Sequence, residues 1–522
     1  MDNRIYGIDL GTTNSAIAVM NNDGPMILKN LDGGESTPSV VFFTGVSTAG
    51  EDETLIGEQA KNSAASAPDD VVQFVKRLMG NNGPSYNFTS PSGKEYTPEM
   101  ISALILKKVC QDAQQYNGGD EIKNVVITVP AYFDDARRIA TKQAGKIAGL
   151  NVLRVINEPT AAAISFGMDT SKDGCVLVYD LGGGTFDVTI MKINQGHFDV
   201  IATGGDSQLG GINFDQKIIA LIMEKVAEQG IVIDEFDDAL MADIREKAEK
   251  TKIQLSSVEK SRPVFSIGGK PCRIEISREE FETAVEPLMQ RTEFLLNDVL
   301  SSAELTWNDI DMPLMVGGST KMPIVKKMLE RLSGKKISYS VDPDTAVAQG
   351  AAIFASTLAN EEETCAEHPG TNLVPYSSIS TTLTISDVTS QCLGVVTVDE
   401  KMQKVNTIII PNNTKIPAKR SQIVGTVVDN QTTILVEVTE GNDEDLDYVK
   451  IIGTSELTMP PYPKGSPLEI IYAYDPDQTI FIEVIDKVTN QSLGNFEIER
   501  ASNMSENAVL NAVSLINHTT VD

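Results

Sequence analysis

Val176-Leu177-Val178-Tyr179-Asp180-Leu181-Gly182-Gly183-Gly184-Thr185-Phe186-Asp187-Val188-Thr189-Ile190-Met191 decides the fold. Four apolar residues lead into a glycine turn and an alternating apolar run leads out, which reads as a β-hairpin. Gly182, Gly183 and Gly184 carry no Cβ, so their N–H groups can converge on an anion, and a phosphate suits that geometry best. Thr185 adds a hydroxyl donor. Asp180 and Asp187 flank the turn, and two carboxylates repel a phosphate unless a cation bridges them. Mg²⁺ is the usual bridge, held by one or two carboxylates, waters and phosphate oxygens.

On its own, a glycine-rich hairpin reads first as a plain tight turn. A second copy changes that. Ile5-Tyr6-Gly7-Ile8-Asp9-Leu10-Gly11-Thr12-Thr13-Asn14-Ser15-Ala16-Ile17-Ala18-Val19-Met20 aligns without a gap, Asp9-Leu10-Gly11 on Asp180-Leu181-Gly182. Two such turns in register, each led by an aspartate, point to a nucleotide clamped between two similar lobes.

The 522 residues suffice for several domains, and 41% hydrophobic with 22% charged residues is an ordinary globular composition. A net charge of −30 argues against nucleic acid and anionic membranes as partners, although simple solubility also explains it. Cys110, Cys175, Cys272, Cys365 and Cys392 lie far apart with no CxxC pair, which suits reduced thiols in a reducing compartment. His197, His368 and His518 are too scattered for a zinc site. The first strand begins close to residue 1 with no signal-peptide or membrane pattern before it, so the expected location is cytoplasmic.

Along the chain, strand and helix patterns alternate as in an α/β architecture. Lys76 sits in the apolar segment 71–79, either as a snorkelling surface lysine or as a group reaching a terminal phosphate. Residues 97–115 have helical periodicity with Pro98 near the start. A buried-type strand over 124–129 ends at Pro130, and 134–149 reads as a helix with Arg137-Arg138 at its basic centre. Glu158 follows the strand 152–156 and precedes Ala161-Ala162-Ala163. It is either a helix N-terminal charge or a site carboxylate. Residues 206–214 read as a loop before a helix over 215–229, and 237–257 and 278–303 as long helices. A third glycine turn, Gly317-Gly318-Ser319, follows the strand beginning at Leu314. Asp342-Pro343-Asp344 precedes a small-residue helix over 346–358. A polar stretch from Glu361 to about Ser380 marks a domain boundary. Six β-type runs follow, an all-β sandwich pattern. Ser505 then caps a final amphipathic helix carrying Val509, Val513 and Ile516.

These residues resemble the seventy-kilodalton heat-shock chaperones, the DnaK-like family. The resemblance is close over residues 1–358. It rests on Ile8 to Ser15, Val129-Pro130-Ala131-Tyr132-Phe133, Asn157-Glu158-Pro159-Thr160-Ala161-Ala162-Ala163, Asp180 to Asp187 and Val316-Gly317-Gly318-Ser319-Thr320. It is looser beyond, at Pro411-Asn412-Asn413-Thr414, Ile416-Pro417, Asp429-Asn430-Gln431-Thr432 and Asp486-Lys487. It implies an actin-like ATPase domain of two lobes over 1–360 and a polar segment and linker over 361–388. A β-sandwich that binds extended peptides would fill 389–500, and a short helix and tail 501–522.

The implied roles follow residue by residue. Asp9 and Asp180 hold Mg²⁺ through waters. Gly11, Thr12, Thr13 and Asn14 form one phosphate turn, and Gly182, Gly183, Gly184 and Thr185 the other. Lys76 orients the attacking water and stabilises the γ-phosphate, with Glu158 and Asp187 as further site carboxylates. Glu249, Lys252 and Ser256 contact adenosine, and Gly317, Gly318, Ser319, Lys321 and Asp344 complete the nucleotide site. Pro130, Arg138 and Asp387 relay nucleotide state. Val398, Val424, Val427, Ile434 and Val436 line the peptide pocket, though five apolar residues in a β domain otherwise read as core. The cofactors implied are ATP or ADP with Mg²⁺, K⁺ being admissible. The partners are unfolded or extended hydrophobic polypeptides, a J-domain co-chaperone and a nucleotide exchange factor.

The sequence departs from the family pattern at several places. Lys321 replaces an arginine, and Ile212 and Asn213 replace the acidic pair of the Leu-Gly-Gly-Glu-Asp-Phe-Asp loop. Thr384 and Ser386 stand where the linker has leucines, which predicts a less populated docked state. The helical lid is reduced to at most the last helix. The expected function is an ATP-hydrolysing peptide chaperone. The alternatives are an ATP-liganded scaffold with weak turnover and an actin-fold metabolite kinase, which would need an acceptor site between the lobes.

Overall fold

A computed structural model describes all residues except 1–3, 82, 171–172, 235–236, 340–341, 366–382, 476–478 and 498–502. Much of the expected boundary segment, with His368, lies outside the described residues.

Each glycine hairpin sits at the centre of its own sheet. In the first sheet the strands run in the order Asn151–Asn157, Asn124–Val129, Ile5–Leu10, Asn14–Asn21, Gly24–Leu28. In the second the order is Met312–Val316, Gly174–Leu181, Phe186–Asn194, His197–Asp206, Thr384–Ser386. The duplication read from the sequence extends to topology. In both sheets the leading hairpin strand pairs parallel with a neighbour on one side and antiparallel with its own partner on the other. The register sets Asp9 opposite Ala16 and Asp180 opposite Asp187, so both lead-in aspartates reach the turn end of their strands.

Two helices rich in small residues, Glu158–Thr170 and Ala346–Cys365, join the sheets. Ala161, Ala162, Ala163, Ala346, Ala351 and Ala355 share one core cluster with Ile5 and Val126 of the first sheet and Val176, Val178, Leu314 and Val316 of the second. The helix backbones nearly touch: a Cβ on Gly350 would lie 1.7 Å from the Ala161 carbonyl oxygen. Small side chains let this shared core be thin and close-packed. On either side, each lobe buries a larger apolar cluster of its own.

Helix starts follow local capping chemistry. Thr97, Asp134, Asp237 and Ser505 each accept a hydrogen bond from the backbone N–H three residues on. One boundary differs from expectation. The helix expected from residue 215 begins at Gly211 and runs to Glu228. Asn213 Oδ1 accepts the Gly210 N–H at 3.0 Å, which converts the expected loop into the first helical turn.

Beyond the second sheet, two four-stranded antiparallel sheets face each other. One is Lys404–Ile410, Leu393–Val398, Gln431–Glu440, Lys450–Tyr462, and the other Ala418–Gly425, Pro467–Tyr474, Ile480–Asp486, Gln491–Glu497. Leu393, Val395, Val438, Ile470, Tyr472, Ile482 and Val484 fill the space between. Tyr472 donates to the Gly394 carbonyl across the sandwich at 2.8 Å. No helix among the described residues is long and apolar enough to cross a membrane.

The last helix, Glu506–His518, packs on the first lobe, against the helices Pro98–Tyr116 and Asp135–Ile147. Val509, Ala512 and Ile516 enter that lobe's core. Lys107 Nζ donates to the Ile516 and Thr519 carbonyls at 3.0 and 3.3 Å, satisfying acceptors left over at the helix end. Thr520–Val521 then pairs parallel with Asp52–Ile56, and Thr54 Oγ1 donates to the Thr520 carbonyl at 2.8 Å. Ile516 is fully buried. Ile516→Ala should therefore cost about 2–5 kcal/mol, visible in denaturant unfolding of the first lobe. A loss below about 0.5 kcal/mol, typical of surface changes, would show that the helix does not belong to that core.

Candidate active site

The two glycine turns press into each other. A Cβ on Gly184 would fall 2.5 Å from Thr12 Oγ1, and one on Gly183 2.7 Å from Thr13 Oγ1. Only glycine lets the threonines of one lobe approach the backbone of the other this closely. The second turn is closed by Gly182 N donating to the Thr185 carbonyl at 3.0 Å. It is propped from behind, where Gly211 N and Ile212 N donate to the Gly182 and Gly183 carbonyls, both at 2.9 Å, and Ser319 Oγ donates to Gly182 O at 3.0 Å. With its carbonyls held at the back, the turn keeps the N–H groups of Gly183 and Gly184 for the cleft. A Cβ on Gly11 would collide with the Asn14 carbonyl oxygen at 2.0 Å, so the first turn is equally tight. Asn14, exposed at the start of its strand, bonds to Thr13 Oγ1 at 3.5 Å.

Behind the turns lies a crowd of buried acids. Asp9 stands at the end of its strand and accepts from Thr128 Oγ1 at 3.2 Å. Asp180 and Asp187 face each other across the second hairpin, and Asp187 accepts the Tyr132 N–H at 2.9 Å. Glu158, 8% exposed, lies where a strand ends and a buried helix begins. Among the described residues, the cation paired within the group is Lys76, 4% exposed, whose Nζ is 2.5 Å from Glu158 Oε1. The segment expected to carry a surface or site lysine thus carries a buried one. Burial and the nearby Glu158 carboxylate push Asp9 and Asp187 up to about 7. Asp180 is raised as well, by burial and then by Glu158, Asp187 and Asp9.

That excess of buried carboxylate suits a divalent cation. No three acidic, histidine or cysteine side chains among the described residues are placed to ligate one unaided. The excess of carboxylate fits a divalent cation completed by waters and phosphate oxygens.

Glu249, Lys252 and Ser256 fall on the helix Asp238–Ser257. Glu249 pairs with Lys61 of the first lobe at 2.7 Å, Lys252 with Asp215 at 2.8 Å, and Ser256 Oγ donates to the Lys252 carbonyl at 3.2 Å. Gly317 has φ 81°, and a Cβ there would meet Leu181 O at 2.5 Å. Gly318 lies beside Asp344, and Lys321 pairs with Asp344 at 2.5 Å. The residues expected at the nucleotide thus take part in ion pairs and close backbone approaches around the second lobe.

The three residues expected to relay nucleotide state sit where lobes, linker and sandwich meet. Pro130 is buried at the end of its strand. Arg138 is buried and hydrogen-bonds Asn157 Oδ1, while Asn157 Nδ2 donates to Asp387 Oδ2 at 2.7 Å. Burial lowers the Arg138 pKa, opposed by Asp387 and then Tyr474 of the sandwich. The linker is docked: Thr384–Ser386 adds in parallel to the edge of the second sheet, with Thr384 itself exposed and bonded to His197. Leu383 and Ile385 pack against the shared core and Val388 is buried in it, so the docking combines backbone pairing with side-chain burial.

The five expected peptide contacts are spread over both sandwich sheets. Val436 is fully buried in the sandwich core, Val424 and Ile434 pack at its margin, Val427 is half-buried after its strand, and Val398 is 37% exposed at a strand end. Sequence reasoning missed Lys61, Asp215 and Arg77. Arg77 Nε and Nη2 donate to the Gly184 carbonyl at 3.0 and 2.7 Å, and Nη2 also reaches Asn213 Oδ1 at 2.7 Å. Its only sequence signal is its place next to Lys76.

The carboxylate crowd predicts a pH dependence. Asp9 and Asp187 titrate near 7 when folded and near 3.9 when unfolded. Between these values the folded state holds protons that the unfolded state has released, so ligand-free protein loses stability as pH rises from about 4 to about 7. Asp187→Asn should flatten this fall in melting temperature, by an amount of order one ionisable group. An unchanged slope in thermal melts at several pH values would contradict the assignment.

Comparison with known proteins shows the family. The family model described as Hsp70 protein matches residues 5–519. The chain is 40% identical over 515 residues to the chaperone protein DnaK of Metamycoplasma hominis, covering 97% of this chain and 81% of that relative. The chain belongs to the Hsp70 family.

Proposed function

We propose that the interlocked turns and the acids behind them are the hydrolytic centre of this Hsp70. As a member of that family the chain is an ATP-dependent chaperone and an ATPase, uses a divalent metal with its nucleotide, and binds unfolded polypeptides and co-chaperones. What carries the assignment is one observation: three buried carboxylates, the half-buried Asp9 and the buried Lys76 converge behind two glycine turns from different lobes.

On this reading Gly11, Thr12, Thr13 and Asn14 hold the nucleotide's phosphates from one side, and Gly182, Gly183, Gly184 and Thr185 from the other. Asp9 and Asp180 face the metal, taken to be Mg²⁺, through waters, and a K⁺ beside it is compatible with the acid excess. The metal supplies charge neutralisation at the β- and γ-phosphates. Lys76 stabilises the γ-phosphoryl charge that grows in the transition state, and Glu158 holds the lysine in place. Asp187, fixed by the Tyr132 N–H, orients the attacking water. Glu249, Lys252 and Ser256 take the adenosine, with Gly317, Gly318, Ser319, Lys321 and Asp344 on the adjoining wall. Residues 1–360 form the ATPase domain, 361–388 the linker region, 389–500 the polypeptide-binding domain and 501–522 the terminal helix and tail. Val398, Val424, Val427, Ile434 and Val436 serve the peptide pocket. A J-domain co-chaperone, a nucleotide exchange factor and a cytoplasmic location complete the proposal, supported by the family likeness.

Lys76→Ala tests the centre. Turnover should fall by about 10²–10³-fold while ADP affinity stays within about twofold, because the lost interaction belongs to the transition state. Normal single-turnover hydrolysis in the variant would remove Lys76 from the mechanism. The relay is tested separately by Asp387→Asn, which takes the carboxylate from Arg138 and leaves the cleft untouched. Basal hydrolysis should change less than about twofold, whereas acceleration by an unfolded polypeptide should drop towards unity, about 1–3 kcal/mol being a typical coupling energy. Undiminished acceleration in the variant would exclude Asp387 from the coupling.

A further inference from the structure

Behind the second phosphate turn, on the side away from the acids, lies an open cavity of about 480 Å³. Gln73, Phe74, Arg77, Arg137, Gln208 and Ile212 are among its lining residues. It holds two guanidinium groups, and neither is paired with a carboxylate among the described residues. Arg77 spends Nε and Nη2 on the carbonyls of Gly184 and Gln208 and on the Asn213 amide oxygen. Its Nη1 donates to nothing among the described residues. Arg137 lies over the Phe133 ring, 5.3 Å from the centroid, and its side chain makes no hydrogen bond there either.

The facing charges leave this positive excess in place. Asp206 acts on Arg77 but is itself paired with Arg291. Asp134 caps the helix by accepting the Arg137 N–H at 3.0 Å and faces Lys450 at 3.6 Å. At the two positions where the family loop carries acids, this chain has Ile212, on the cavity wall, and Asn213, a neutral acceptor for Arg77. An acid at 212 would give Arg77 a partner. Isoleucine leaves the cavity with two cations, amide side chains and an apolar floor.

We propose that this cavity is a second phosphate site, which takes inorganic phosphate while ADP occupies the cleft. Arg77 Nη1 and the Arg137 guanidinium supply charge-assisted donors, and Gln73 and Gln208 supply neutral ones. The site is wired to the hydrolytic turn. Arg77 holds the Gly184 carbonyl at 2.7 Å, and Ile212 N holds the Gly183 carbonyl at 2.9 Å. A phosphate released at the turn has this cavity immediately behind it. That source rests on the reading of residues 182–185 as a phosphate turn, whereas the binding site itself does not.

The test is equilibrium dialysis of labelled inorganic phosphate against full-length protein saturated with ADP. The unmodified protein should bind phosphate in the millimolar range or tighter. Arg137→Gln should weaken it about tenfold or more, the scale of one lost hydrogen bond to a charged group. Ile212→Glu should weaken it similarly by supplying Arg77 with a carboxylate. Because residue 212 is a glutamate position in the family loop, this second variant keeps the test valid should Arg137→Gln fold poorly. Lys76→Ala, which disables the cleft, should leave the binding intact, and this arm separates the proposal from the assignment of the hydrolytic centre. Phosphate binding indifferent to both cavity variants, lost in Lys76→Ala, or absent from the ADP-bound protein would overturn the second site.

Discussion

Four carboxylates share a buried space with one lysine, and the remaining architecture can be understood from that imbalance. Asp9 comes from one hairpin, Asp180 and Asp187 from the other, and Glu158 from the end of a third strand. Like charges brought together out of water raise one another's pKa, and the cost falls on the folded state. A bound cation with its nucleotide offsets that cost by mass action. Because the acids belong to both lobes, the relief is greatest when the lobes are together.

The same residues connect the cleft to the sandwich. Asp187 holds the Tyr132 backbone, two residues after Pro130, and Arg138 lies one helical turn further on with Asn157 and Asp387 around it. Additional contacts fasten the sandwich to the second sheet: Thr203 N donates to Asn413 Oδ1 at 3.0 Å, and Lys415 pairs with Asp199 at 2.7 Å. This is a contiguous set of packed and hydrogen-bonded groups. Such a set is one physical route by which coupling can travel.

How much of this the sequence disclosed depended on whether a feature was local. The paired hairpins were legible because Asp-Leu-Gly repeats at matched positions, and the turn chemistry follows from glycine alone. The alternation of strands and helices, and the β character of the C-terminal region, were legible from periodicity. Lys76 was not. A snorkelling lysine and a buried one look alike in an apolar segment, and only Glu158, distant in sequence, distinguishes them. The start of the helix at Gly211 was hidden because its cap is an asparagine inside the helix rather than a residue before it. Val436 shows the limit for apolar residues, since a strand pattern does not tell pocket from core. The last helix was visible as amphipathic, but an apolar face does not name the surface that it covers.

That helix and the short strand after it have a mechanical consequence. Residues near both ends of the chain, Ile5–Leu10 and Thr520–Val521, are built into sheets of the same lobe. The sandwich is therefore held as a long loop, leaving and re-entering one body. Tension applied at the ends is borne first by the two-residue parallel pairing on Asp52–Ile56 and then by the helix seated on Pro98–Tyr116. Until both have peeled away, no load reaches the sandwich. A force applied to the sandwich itself would draw on a different path through the molecule, one that runs through the linker.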